Sequence, residues 1–178
     1  MAVFNEDTRV KIPATIQFMR NGYEYQSLKD INLHSETRID IDRFKKAIEK
    51  INRRVFTQNE IDDIIEKIHN VIKINDMGKT FHTWLIHPND KIKLIDFENI
   101  ENNIFSVVDE LSFGKEGSES VKDGSFRPDI TAMINGIPLA FLEVKKPDNE
   151  GGIQKEFDRM LNQRLKNPDY KKYFNILN

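Results

Sequence analysis

The chain has 178 residues, 38% of them hydrophobic and 31% charged, enough for one domain with a real core and within the range of a soluble globular protein. It has no cysteine, which excludes disulfides and thiolate metal sites. The formal net charge of -2 offers no overall basic footprint for DNA, which argues against tight autonomous DNA binding and fits a module brought to DNA by other domains or subunits.

Met1 to Arg20 carry several charges and no long apolar run, so the expectation is a cytoplasmic protein without a secretory leader or a membrane span. Val10 to Asn21 reads as a helix on the spacing of Val10, Ala14 and Phe18, widened by Ile12, Ile16 and Met19. Pro13 lacks a backbone donor, so the regular helix should begin near it, and Asn21-Gly22 should stop it. Asp40 to Asn52 is a second helix, with Ile41, Phe44, Ile48 and Ile51 on one side. Thr57-Gln58-Asn59-Glu60 has capping-box spacing and opens a third helix with Ile61, Ile64, Ile65, Ile68 and Ile72 as its apolar stripe. His34, His69, His82 and His87 lack the spacing of metal ligands and read as structural or exposed. Asn75 to Lys79 is a turn, and Phe81 to Ile86, with the single Trp84, is a short core stretch. Ile92 to Phe97 and Ile104 to Leu111 read as strands; Asp109 and Glu110 end the second and read as a solvated strand end, the alternative being an approach to a site on the neighbouring strands. Ser112 to Ser125 is a long serine- and glycine-bearing loop, of a length that is often functional.

Arg127 to Pro147 is the most informative stretch. Ile130 to Ile134 and Ile137 to Val144 flank Asn135-Gly136, the strongest short-range hairpin signal. Into this apolar hairpin the chain places Asp129, Glu143 and Lys145, charges that are costly to desolvate unless paired or bound to a metal. Strand period puts Leu139, Phe141, Glu143 and Lys145 on one face and Ala140, Leu142 and Val144 on the other, which predicts a strand buried on both sides. A plain two-residue turn would set Asp129 against Leu142. One extra residue on the second strand, expected as a G1 bulge at Gly136, sets it opposite Glu143 instead. Two adjacent carboxylates repel unless a cation lies between them, and magnesium suits oxygen ligands. A lysine two residues on could hold or deprotonate an attacking water or stabilise charge on a phosphate, so the set suits phosphodiester hydrolysis. Taken bare, the same residues more often form a hairpin with solvated charges and one Glu–Lys pair.

The string as a whole is more specific. Arg-Pro-Asp-Ile, Asn-Gly-Ile-Pro-Leu and Glu-Val-Lys-Lys-Pro together resemble the nuclease motif of the PD-(D/E)xK superfamily, most closely that of the R (restriction) subunit of type I restriction–modification enzymes. Gly22-Tyr23-Glu24-Tyr25, Leu94 to Asn99 and Asn103 to Val108 resemble the same branch, so the likeness covers most of the chain. It implies one α/β domain over residues 1–178, with a restriction-endonuclease-like mixed central sheet flanked by helices. It also implies that Asp129, Glu143 and the Val144 carbonyl hold Mg2+ while Lys145 positions or activates the water. Family members often draw an acid from the first helix, for which Glu6 is the candidate.

After Pro147 a helix is expected from about Ile153 to Leu165, its apolar side being Ile153, Phe157, Met160, Leu161 and Leu165. Lys155, Arg159, Gln163 and Lys166 form the opposite stripe, with a candidate DNA-contacting role. The family's Gln-x-x-x-Tyr motif is missing: Asp158 follows Gln154 and Asn167 follows Gln163 at that spacing. No phosphate-binding loop occurs, so the expectation is an N-terminal nuclease fragment without the ATP-dependent helicase motor of R subunits. The implied activity is Mg2+-dependent cleavage of double-stranded DNA in a complex with methyltransferase and specificity subunits. The competing readings are a non-catalytic docking module of the R subunit and a stand-alone repair or junction nuclease.

Overall fold

Asn135 and Gly136 both take left-handed backbone angles, φ 54° and 75°, so the apolar runs on either side close as a tight two-residue hairpin of type I′. The structure is a computed structural model that describes residues 7–88, 91–114, 126–145, 151–167 and 172–177. Its sheet contains β1 (Glu24–Gln26), β2 (Phe105–Asp109), β3 (Ile130–Ile134) and β4 (Ile137–Leu142), in that spatial order. β1 runs parallel to β2, and the other pairings are antiparallel, giving the expected mixed sheet.

The hairpin tip is buried. The Asn135 side-chain amide donates to the carbonyl of Leu94 and to Oδ1 of Asn103, each at 2.8 Å, and its Oδ1 accepts the Ile104 N–H at 2.7 Å. The Gly136 carbonyl accepts the Asp40 N–H at 2.9 Å, which seats the tip on the start of the second helix. The extra residue on the second strand is present, but not at Gly136. Met133 pairs with Pro138 and Ala132 with Ala140, so Leu139 is the unpaired residue. Pro138 has no N–H for the ladder, which makes that position the natural place for a bulge.

The helices are α1 (Ile12–Arg20), α2 (Ile41–Asn52), α3 (Gln58–Ile72), α4 (Lys79–Ile86) and α5 (Gly152–Arg159). Asp40 caps α2 through its side chain, and Thr57 with Glu60 forms a complete capping box on α3. Their apolar stripes meet α4 and the tip of the hairpin in one core that includes Phe44, Ile48, Ile65, Phe81, Trp84 and Ile137. A second cluster, around Val108, Phe113, Phe126, Met133 and Tyr173, lies against the sheet face that carries Phe141. Among the described residues no helix is long and apolar enough to cross a membrane.

Three expectations are corrected. Ile92 to Phe97 is not a strand: the N–H groups of Lys93 and Asp96 are taken by the side chains of Asn52 and Asn103, and side-chain amides of Asn52, Asn135 and Asn103 take the carbonyls of Lys93, Leu94 and Asp96. Phe81 to Ile86 is a core stretch as expected, and it lies in a helix whose buried residues are Phe81, Trp84 and Leu85. In α1, Ile12, Ile16 and Met19 are exposed, because the helix turns Lys11 and Thr15 toward the polar end of β2, at Glu110 and Asp109. β4 is the edge strand of the described sheet, and its Ala140 and Leu142 are exposed rather than buried. An edge also explains how the strand accommodates Pro138.

Candidate active site

The bulge determines what meets at the open end of the hairpin. Beyond Leu139 the pairs are Ala132–Ala140, Thr131–Phe141 and Ile130–Leu142, and the same register carries Asp129 opposite Glu143. The Asp129 carboxylate accepts the Val144 N–H at 2.8 Å, and its carbonyl accepts the Glu110 N–H at 3.1 Å, so both neighbouring strands fix this residue. Val144 is buried. The Glu143 side chain is only 12% exposed. Burial pushes its carboxyl above the ordinary value; the hydrogen bond and charge of Arg164 oppose this, and the carboxylates of Asp129 and Glu156 add to it.

Lys145 shares the Glu143 face, as period two requires. Its Nζ lies 3.7 Å from Glu143 Oε2 and 3.6 Å from Glu156 Oε2. Arg164 Nη1 donates to Glu143 Oε1 at 2.6 Å and lies 3.1 Å from Glu156 Oε1. Arg159 also pairs with Glu156, its Nε donating to Oε1 at 3.0 Å. Burial pushes the Glu156 carboxyl up, but the hydrogen bond from Arg159 and the charges of Arg164, Arg159 and Lys145 outweigh it, leaving it below the ordinary value. Glu143 and Glu156 thus share Lys145, Arg159 and Arg164 in one ion-pair cluster, with the Asp129 carboxylate close enough to Glu143 to act on its charge. Phe141, Phe157 and Met160 complete the cleft over Glu143 and Lys145.

Glu156 and Arg164 were not singled out by their sequence positions. Eight residues of regular helix would place them about 80° apart around the axis. The chain instead passes from α5 into a π turn over Met160–Arg164, closed by the Leu165 N–H on the Met160 carbonyl at 3.0 Å. The wider turn advances less per residue and brings Arg164 back over Glu156. Such turns are frequent at functional sites. Much of the expected apolar side of this helix faces outward, with Ile153 80% exposed and Phe157 55%, while Met160 packs against the second core cluster. Of the expected DNA-contacting residues, Arg159 is engaged with Glu156, while Lys155 and Gln163 are exposed.

Behind the site, Asp109 accepts a hydrogen bond from Thr15 Oγ1 at 3.1 Å. Burial raises its carboxyl pKa most, partly offset by Thr15 and Lys11, with the charges of Glu110 and Asp129 adding to the rise. Glu110 pairs with Lys11 at 2.7 Å and Arg127 at 3.5 Å. Glu6, Pro147 and most of the Ser112–Ser125 loop lie outside the described residues. Among the described residues no group of three His, Cys, Asp or Glu side chains could hold a metal ion. Magnesium needs only one or two carboxylates because it keeps several waters. The hard oxygen donors of Asp129, Glu143 and the Val144 carbonyl are of the right chemistry for it.

Residues 3–177 match the family model of the type I restriction enzyme R protein N terminus. The chain belongs to that family. It is 31% identical over 198 aligned residues to a putative type I restriction enzyme MjaIXP endonuclease subunit of Methanocaldococcus jannaschii, with 99% of this chain and 18% of the relative covered. It is 31% identical over 140 residues to the putative MjaVIIIP endonuclease subunit of the same organism, covering 78% of this chain and 12% of the relative. The type I restriction enzyme HindI endonuclease subunit of Haemophilus influenzae is 25% identical over 158 residues, covering 76% of this chain and 14% of its own length. This R-protein N-terminal chain therefore spans less than a fifth of the length of these relatives. Its mixed sheet and flanking helices are the restriction-endonuclease-like α/β fold.

Proposed function

We propose that this chain is the nuclease domain of a type I R subunit and that it cuts double-stranded DNA with Mg2+. The observation that carries the reading is the register of β3 and β4, which sets Asp129 opposite Glu143 with Lys145 two residues further on the same face. Asp129, Glu143 and the Val144 carbonyl would hold the metal. When bound, the ion supplies Lewis acidity toward a phosphate and lowers the pKa of a coordinated water. Lys145 holds the attacking water or stabilises charge that develops on the phosphate. The Val144 N–H fixes the Asp129 carboxylate for its part.

The net charge of -2 supports delivery to DNA by a larger assembly. We place this domain in the cytoplasm with an ATP-driven motor, a methyltransferase and a specificity subunit as partners, since its relatives are named as type I restriction enzyme subunits. Lys155, Gln163 and Lys166 are exposed on the helix leaving the site, and this reading gives them the backbone phosphates to meet. Plasmid cleavage by the assembled enzyme tests the reading. Cutting should require Mg2+ and be lost in Asp129→Ala and Lys145→Ala, and cleavage at wild-type rates by both variants would overturn it.

A further inference from the structure

The contacts of Glu143 carry more than a ligand role. Both of its carboxylate oxygens already face cations of the chain, Arg164 at 2.6 Å on Oε1 and Lys145 at 3.7 Å on Oε2. The same two cations also touch Glu156, at 3.1 and 3.6 Å. A divalent ion at Glu143 adds two positive charges beside a guanidinium that is 12% exposed and little screened by water. Arg164 and the ion cannot share Glu143 Oε1 without repulsion.

We propose that Arg164 competes with the divalent cation for Glu143, and that Glu156 is the carboxylate onto which Arg164 withdraws when the cation binds. This rests on the reading of Glu143 as a metal ligand. The geometry favours a short exchange. Arg164 Nη1 is already between the two carboxylates, and its guanidinium lies 4.7 Å from the centre of the Phe126 ring, an aromatic face that restrains it while a nitrogen changes partner. Arg159 Nε fixes the receiving side chain by donating to Glu156 Oε1. Lys145, at longer range from both acids, follows the same course toward Glu156 and stays beside the site. Neither Arg164 nor Glu156 touches the metal in this scheme; they are positioning residues that set how tightly Asp129 and Glu143 take it.

The two side chains then have opposite effects on metal affinity. Mn2+ binding to the protein, read from the electron paramagnetic resonance of free Mn2+ and competed with Mg2+, measures this without turnover. Arg164→Gln and Arg164→Ala should bind Mn2+ about tenfold more tightly, the scale of one hydrogen bond to a charged group. Glu156→Gln leaves Arg164 with Glu143 alone and should bind about tenfold more weakly, with part of the affinity restored in Glu156→Asp. Arg164→Gln keeps hydrogen-bonding capacity and decides the matter if Arg164→Ala does not fold. A shift of both residues' variants in the same direction, or no shift in either, would overturn the proposal. Asp129→Ala separates it from the reading beneath it. Unchanged Mn2+ binding in that variant removes the metal site altogether, whereas lost binding there with unmoved Arg164 and Glu156 variants removes only the exchange.

Discussion

Replacing Gly136 by alanine probes the hairpin tip on two counts. The backbone there has φ +75°, which costs a residue with a Cβ roughly 1–2 kcal/mol. The added Cβ would also lie 2.4 Å from the Asp40 carbonyl oxygen and 2.9 Å from the Phe44 nitrogen, both backbone atoms at the start of α2. To relieve that contact the tip must lift from α2, straining the Asp40 N–H to Gly136 bond, at about 1–3 kcal/mol for overpacking. The total, about 2–5 kcal/mol, should lower the melting temperature by roughly 5–20 °C in a chain of this size. Gly22→Ala is the internal standard. Gly22 has φ +90° but nothing within 4 Å of its Cβ position, so it loses only the backbone part. Thermal melts followed by far-ultraviolet circular dichroism compare the two. Equal shifts in the two variants would refute the tip-to-helix contact as the reason for glycine at 136.

Other outcomes follow from single contacts. Lys145→Ala should leave the melting curve within about 1 kcal/mol of the parent, since it removes no buried apolar group, while cleavage falls about 100-fold or more; a melting and cleavage comparison on one preparation checks both. Burial raises the Tyr173 phenol from 10.0 to about 12. The unfolded chain therefore loses this proton first as pH rises, so stability should decline from about pH 10 toward 12, and Tyr173→Phe should flatten that alkaline limb in denaturant titrations. Thr57→Ala removes the hydroxyl that accepts the Glu60 N–H at 3.3 Å and should cost about 1 kcal/mol in the urea midpoint, without changing cleavage.

Where one local rule dominated, the sequence was legible. Asn-Gly between apolar runs specified the hairpin, Thr57 to Glu60 the capping box, and the isoleucine spacing α3. The bulge was legible in number but not in place. Asp129 and Glu143 demanded one extra residue, and Gly136 was the conventional position for it, whereas Pro138 could not join the ladder and took the irregularity itself. The apolar run at Ile92–Phe97 looked like a strand because its backbone partners are the distant side chains Asn52, Asn103 and Asn135, which no window of sequence contains. For the last helix, burial overrode periodicity. Glu156 and Arg164 turn inward to satisfy one another and Glu143, leaving Ile153 and Phe157 outside, and the π turn that aligns them breaks the wheel on which such stripes are read.

The buried asparagine at the tip also gives the hairpin a mechanical character. Asn135 fastens one end to Leu94, Asn103 and Ile104, while Asp129, opposite Glu143, lies about 20 Å away along the strand, six residues at roughly 3.3 Å each. The pair of strands is a beam clamped at the turn. At its far end the restraints on Glu143 are side-chain ion pairs on the edge strand, and these can exchange partners without disturbing the clamp. Because the Val144 and Glu110 N–H groups hold Asp129, a change of partner by the Glu143 side chain is enough to adjust the spacing of the two carboxylates, and the core around the tip need not move.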